Sequence, residues 1–301
     1  MDLLIVKSSY INFQIKNEIK MNNSILIIGG RGNLSKNLKI MIPEATIIPS
    51  NHIKDLGSLL KSAGKSSIVY NVCYKSSLLA KRDSPKDYAR YSFEILSEFV
   101  SICLKYENLI DKIIFTSSSA VYGDNSFAKE SDPTNATSLY ASLKLSSELF
   151  IKEHLAHTSI ILHITRIFNM YGGFDDFSVI YSISKALTEK NSFTLVNNGK
   201  SVRDFIHVLD VIEIYKRLLS NNSSSTLNIG SGTGLSIIGV VELAEGIFNT
   251  NLVKTNLKLD EPAISCASTD NLIAKVGAIK FIHISGYFEE KYKKIKDGGA
   301  T

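Results

Sequence analysis

The chain has 301 residues, 44% of them hydrophobic and 21% charged, with a formal net charge of +5 at pH 7. That balance supports a folded core and excludes general disorder. Its basic residues are spread along the chain without a dense block, which argues against nucleic-acid binding while suiting a mildly basic cleft for a phosphorylated substrate.

The longest apolar runs, such as residues 25–28 and 160–164, are far too short to span a bilayer. The first twenty residues hold a brief Leu3-Leu4-Ile5-Val6 run, with neither a signal-peptide core of adequate length nor a small-residue cleavage site. Cys73, Cys103 and Cys266 lack both Cys-x-x-Cys and zinc-ligand spacing, so they read as buried thiols in a reducing compartment, with no metal site. A cytoplasmic protein is expected. Met21 stands just before the first clear strand, which marks residues 1–20 as an N-terminal extension or an upstream start.

Residues 24–28 are a short buried-strand pattern, followed by Gly29-Gly30-Arg31-Gly32-Asn33-Leu34 and a helical pattern to about Met41. A second strand, 45–48, ends at Pro49; residues 56–62 form a brief helix and 67–72 a third strand. A long helix over 86–106, a strand over 112–116 and a helix over 139–157 follow. Strands at 159–165 and 226–229 and helices near 178–190, 208–220 and 237–248 complete the pattern, and Asn221-Asn222-Ser223-Ser224-Ser225 reads as a surface loop. This alternation predicts a Rossmann-type α/β fold, a doubly wound parallel sheet covered on both faces. Continuous alternation runs from 21 to 166; residues 167–301 interleave shorter elements, suggesting a smaller C-terminal lobe that shares the last strands.

Most of the chemistry lies between Phe115 and Lys144. A serine-rich strand end, Thr116-Ser117-Ser118-Ser119-Ala120-Val121-Tyr122-Gly123, precedes Tyr140-Ala141-Ser142-Leu143-Lys144. A lysine four residues after a tyrosine shares its helix face, and its ammonium favours the phenolate. The pair suits general acid/base work, with Ser118 placed to hold a reacting oxygen beside the phenol. The spacing alone decides nothing, because Tyr181/Lys185, Tyr287/Lys291 and Tyr292/Lys296 share it. Only Tyr140 follows a serine-rich strand end and opens an apolar-periodic helix after a turn cluster; the other three pairs read as solvated helix faces.

Six blocks appear in one order: Gly29-Gly30-Arg31-Gly32; Ser117 to Gly123; Tyr140 with Lys144; Arg166-Ile167-Phe168-Asn169-Met170-Tyr171-Gly172; Gly199 to Asp210, containing Arg203-Asp204-Phe205-Ile206-His207; and Leu227-Asn228-Ile229-Gly230-Ser231-Gly232. With them the chain resembles the extended short-chain dehydrogenases/reductases that act as nucleotide-sugar epimerases, dehydratases and reductases. The likeness runs over residues 24–292.

The resemblance implies that Gly29, Gly30, Arg31, Gly32, Asn33 and Leu34 hold a cofactor pyrophosphate at a helix N-terminus. It implies Ser118, Tyr140 and Lys144 as the catalytic set, Lys144 and Tyr140 also meeting the cofactor. Ser118, Asn169 and Arg203 would bind the substrate, the last two at its diphosphate, for which an arginine fork is suited. Asp204 and His207 read as structural.

Several departures shape the expectation. Ser35 stands where the family has a third glycine, with some loss of helix-to-strand closeness expected. Pro49-Ser50-Asn51 offers no acid to a ribose, while Arg31 lies where related reductases meet a 2′-phosphate, so NADP is expected, with NAD the alternative. Residues 257–268 lack a second substrate arginine, one strand-helix unit is trimmed before residue 67, and Ser118-Ser119-Ala120 lacks the acid that dehydration needs. The reading is a 4-keto-sugar reductase acting on a nucleotide sugar; the alternative is a nucleotide-sugar 4-epimerase, and a remote one a non-catalytic NADP-binding module. The implied partner is the nucleotide-sugar substrate, with neither nucleic acid nor membrane, and a homodimer is compatible.

Overall fold

The computed structural model describes residues 23–72 and 85–297. The N-terminal extension and Cys73 lie outside them. Strands β1 (Ser24–Ile28), β2 (Thr46–Ile48), β3 (Ser66–Tyr70), β4 (Ile110–Ser118), β6 (Ile161–Ile167) and β10 (Ser225–Ile229) form one parallel sheet in the order β10-β6-β4-β3-β1-β2. The chain reverses its direction of travel between β1 and β3, the place where doubly wound sheets open a crevice at their carboxyl ends.

Strand periodicity explains the two covered faces. Leu26 and Ile28 pack with Ile68, Tyr70, Ile113 and Phe115 against α2 (Leu56–Ala63), α4 (Ile95–Lys105) and α5 (Leu139–Leu155), α3 being Pro85–Ala89. Ile25 and Ile27, on the other face, pack with Val69 and Ile114 against α1 (Asn33–Met41) and α7 (Val208–Leu219). Successive side chains point to opposite sides of a strand, so one five-residue segment serves two cores. Each fully buried isoleucine contributes about 1.5–3 kcal/mol. The expected long helix over 86–106 is divided by a π-helical turn, Arg90–Glu94.

A second sheet joins β9 (Val202–His207) to β11 (Gly234–Ser236), β13 (Ile264–Ala267) and β7 (Asn169–Tyr171), with β5 (Phe127–Ala128) on β13. A two-stranded ribbon pairs β8 (Phe193–Val196) with β12 (Lys254–Leu257). A third core packs α6 (Val179–Glu189), α8 (Ile237–Phe248) and α10 (Ile284–Lys296) around Tyr171, Phe205 and Phe288; α9 is Asp270–Val276. Tyr287, expected on a solvated face, is instead buried there, its ring edge-on to Tyr171 at 5.4 Å, because α10 docks on α6 and α8. No helix among the described residues is long and apolar enough to cross a membrane.

Helix α5 is fastened to the sheet by charge. Its buried stripe contains Lys144, Ser147 and Glu148 as well as Ile151 and Leu155. Glu148 takes Arg166 of β6 in a two-pronged ion pair, Nη2 to Oε2 at 2.8 Å and Nε to Oε1 at 3.1 Å, and accepts from the Ser117 hydroxyl. Arg166 Nη1 donates to the Tyr122 hydroxyl at 2.9 Å, which donates to Asn228 Oδ1 at 2.8 Å. Burial opposes the Arg166 charge, and the hydrogen bonds and charge of Glu148 more than offset it, so the guanidinium titrates above its ordinary range.

Two stability outcomes follow from buried polar groups. Glu148→Ala strands a buried guanidinium and should cost about 3–5 kcal/mol, whereas Glu148→Met with Arg166→Met should cost far less. Urea denaturation of both variants checks this, and a single variant with an unchanged midpoint would refute it. His163, fully buried on β6, accepts or donates at Nδ1 with Ser225 Oγ (2.8 Å), and burial lowers its pKa to about 4. The unfolded chain therefore binds its proton first, so this contribution is present above about pH 6.5 and is lost as pH falls toward 4. His163→Asn should flatten the loss of denaturation midpoint between pH 6.5 and 4.5; an identical slope would contradict the assignment.

Candidate active site

The glycine turn follows β1 at the crevice. Gly29 has φ +93°, and a Cβ there would lie 2.4 Å from the Asn71 carbonyl oxygen; a Cβ on Gly30 would lie 2.4 Å from Ile47 Cγ2. Both positions need the absent side chain. The turn is pinned on both sides, Gly29 N donating to the Ile48 carbonyl at 3.0 Å and Asn71 N to the Ile28 carbonyl at 2.9 Å. The first turn of α1 has neither a side-chain cap nor an acidic residue, leaving its amides and dipole available to an anion. This cradle fits a dinucleotide pyrophosphate.

Ser35 does not loosen the turn as expected. It is fully buried, its hydroxyl donates to the Gly29 carbonyl at 2.5 Å, and it accepts from Asn71 Nδ2 at 2.8 Å. A hydroxyl thus draws helix and strand together where a glycine would do so by smallness. Arg31 is exposed. The Asn33 and Leu34 side chains serve other purposes: Asn33 Nδ2 donates to the Gly172 carbonyl at 2.9 Å and its Oδ1 accepts from Phe174 N at 2.9 Å, while Leu34 is buried in the core under α1. What these two can offer a ligand is backbone. After β2 the chain enters a 3₁₀ turn, Ser50–Asp55, and the strand end carries no carboxylate.

Ser118 ends β4, half-buried, its Oγ accepting from Ala120 N at 3.3 Å. Tyr140, also half-buried, lies in the first turn of α5, which Ser138 caps by accepting from Ala141 N at 3.2 Å. Lys144 is buried one turn on and donates to the Thr116 carbonyl at 2.8 Å and the Val72 carbonyl at 3.4 Å. Val72 follows Asn71, which holds Ser35, so a chain of contacts runs from Lys144 to the glycine turn. The strand end bearing Ser118 is tied to α5 twice, through Thr116 to Lys144 and through Ser117 to Glu148.

The two candidates for the substrate diphosphate lie on the second sheet. Asn169 of β7 donates from Nδ2 to the Asp204 carbonyl at 3.0 Å. Arg203 of β9 is ion-paired through Nη2 to Glu261 Oε2 at 2.8 Å, and its Nη1 donates to the Val202 carbonyl at 2.9 Å. Asp204 is a structural hub, its carboxylate accepting from the amides of Ser231, Gly232 and Ala267 and from the Ser231 hydroxyl. His207 caps α7, accepting at Nδ1 from Leu209 N at 3.2 Å, and burial lowers its pKa to about 4, so it is neutral.

The sequence reading missed Glu148, Tyr122, Asn71 and Glu261. Glu148 had a signal, its spacing of four from Lys144 along one helix face. Glu261 had none, since its partner is 58 residues away.

A family model described as the NAD dependent epimerase/dehydratase family matches residues 42–230. The match begins downstream of the glycine turn, whose fit rests on its own geometry. The UDP-glucose 4-epimerase of Mycoplasma genitalium is 24% identical over 299 residues, covering 81% of this chain and 88% of that protein. The crystal structure of a UDP-glucuronic acid 4-epimerase mutant from Bacillus cereus, in complex with UDP-4-deoxy-4-fluoro-glucuronic acid and NAD, superposes with a TM-score of 0.80 at 20% identity over 91% of this chain and 99% of that one. RMD from Pseudomonas aeruginosa, complexed with NADPH, gives a TM-score of 0.79 at 21% identity over 92% and 100%. The extended short-chain fold and well over half of the sequence fall within these likenesses, and the chain belongs to the NAD dependent epimerase/dehydratase family.

Proposed function

We propose that this protein is a nucleotide-sugar 4-epimerase working with a tightly held nicotinamide dinucleotide. The observation that carries the reading is the continuous, largely buried set of contacts joining the Tyr140/Lys144 helix, the Ser118 strand end and the glycine turn at the carboxyl end of the sheet. Its relatives support epimerisation over the net reduction of a 4-keto sugar that the residues alone favoured, since UDP-sugar 4-epimerases recur among them.

Gly29, Gly30 and Gly32, with the backbone of Arg31, Asn33 and Leu34, would hold the pyrophosphate, and Lys144 would orient the nicotinamide ribose. A nicotinamide bound there would supply reversible hydride exchange with the sugar carbon. Tyr140 would take the proton from the C4 hydroxyl during oxidation and return one to the oxygen afterwards. Ser118 would hold that oxygen beside the phenol in both directions. The C-terminal lobe would carry the nucleotide diphosphate, with Asn169 and Arg203 nearest to it. A dehydration is disfavoured because Ser118-Ser119-Ala120 supplies no acid.

Reduction by NADPH is the second reading. Arg31 is exposed within the glycine turn and no carboxylate ends β2, a combination that suits a ribose 2′-phosphate.

Two outcomes test these readings. Tyr140→Phe should lower turnover by about a hundredfold or more while leaving cofactor affinity nearly unchanged, measured by initial rates and fluorescence titration. Near-normal turnover would remove Tyr140 from the chemistry. A nucleotide hexose incubated with the protein should equilibrate with its 4-epimer, followed by chromatography, without stoichiometric consumption of cofactor. If instead a nucleotide-linked 4-keto-6-deoxyhexose drives loss of NADPH absorbance and no epimer forms, the reductase reading takes its place.

A further inference from the structure

Arg203 is not a free cation. Its guanidinium is mostly buried, 13% exposed at the side chain, against a Glu261 side chain 28% exposed, with Nη2 at 2.8 Å from Oε2. The other carboxylate oxygen is taken as well, Oε1 accepting from the Ser201 hydroxyl at 2.5 Å. Strand pairing sets this geometry: β13 runs beside β9 with Ser265 opposite Arg203, and Val202 N donates to the Ala263 carbonyl at 2.8 Å, which brings the segment entering β13 alongside. Residues 258–260, just before Glu261, are exposed, and this strap is held at Leu259 by Asn197, whose Nδ2 donates to the Leu259 carbonyl at 2.7 Å and whose Oδ1 accepts from the Leu259 amide at 3.2 Å. The carboxylate thus sits at the surface, and no core residue lies in the segment just before it. The arginine is anchored from its own side by the Val202 carbonyl.

We infer that Glu261 is an internal anion competing with the substrate diphosphate for Arg203, and so sets how tightly the nucleotide part of the substrate is held. The inference rests on the reading of Arg203 given above. Two anions cannot share one guanidinium without repulsion, so a diphosphate that engages Arg203 must displace Glu261 or accept like charge at contact range. With no second arginine in residues 257–268, the pair leaves this end of the cleft close to electrically neutral before substrate arrives. Lowered nucleotide affinity speeds product release, where a firmly held nucleotide would slow it.

The test is calorimetric titration of UDP, dTDP, GDP and CDP into protein saturated with both NAD and NADP, so that the glycine turn is occupied. Glu261→Gln, which keeps shape and the Ser201 contact while removing charge, should bind its preferred diphosphate about three- to fivefold tighter than wild type, the upper range of a partly exposed ion pair. Glu261→Ala should behave alike, guarding against a folding artefact in either variant. Arg203→Gln should bind more weakly, and adding Glu261→Gln to it should restore nothing. Unchanged or weakened binding in both Glu261 variants, with Arg203→Gln still deleterious, would overturn the competition and leave the Arg203 reading standing. Arg203→Gln binding like wild type would remove Arg203 from the diphosphate and the inference with it. Absence of binding by every diphosphate to every variant would refute the nucleotide-sugar reading itself.

Discussion

The buried Glu148–Arg166 ion pair is the constraint on which the site depends. It joins the helix that carries Tyr140 and Lys144 to a strand of the main sheet, and through Ser117 it also grips the strand end that carries Ser118. Side chains on different elements become a constellation only if the elements keep their distance and rotation. Apolar packing through Ile151 and Leu155 supplies the attraction between α5 and the sheet, but it is non-directional. A bidentate guanidinium-carboxylate pair has a geometry, and it fixes the register of the helix along the strand. Removing such charges from water is costly, so the pair contributes more to specificity of arrangement than to net stability.

From that fixture the order spreads to the glycine turn. Lys144 reaches the Val72 carbonyl, Asn71 reaches Ser35, and Ser35 reaches the Gly29 carbonyl, so each polar group buried at the strand ends is satisfied by the next. The replacement of glycine by serine at position 35 is compensated within this chain of hydrogen bonds. Asn33 extends it in another direction, holding the Gly172 carbonyl and the Phe174 amide just past β7. The turn at the start of α1 is therefore coupled to the segment that leads from β7 to α6.

The second sheet and helices α6, α8 and α10 have a core of their own, and the polar organisation there centres on Asp204 beside Arg203. Asp204 gathers three backbone amides and one hydroxyl from β13 and the segment after β10, and burial raises its pKa against the lowering effect of those donors. It sets the backbone of β9 in place, which in turn presents Arg203 toward Glu261. Two acids adjoin one strand: Asp204 organises backbone, and Glu261 governs a cation.

The sequence by itself determined the doubly wound parallel sheet and the glycine turn, and local context alone put Tyr140 ahead of three similar pairs, because each of these readings depends on local information. Strand and helix periods, glycine where a Cβ cannot fit, and a turn cluster ahead of a helix all operate over a few residues. Ser118 was singled out in the same local way, from its place in the serine-rich stretch that follows the apolar run ending at Phe115. The short strands β5, β7, β8, β11, β12 and β13, two to four residues each, carry too few positions for a period to register. Burial of Tyr287 required the docking of α10, which no local pattern announces. The meaning of Ser35, the pairing of Glu148 with Arg166 and the capture of Arg203 by Glu261 were decided only in three dimensions. Each depends on which groups separated in sequence share one low-dielectric volume, and charges and hydrogen bonds choose partners by distance in space rather than position along the chain.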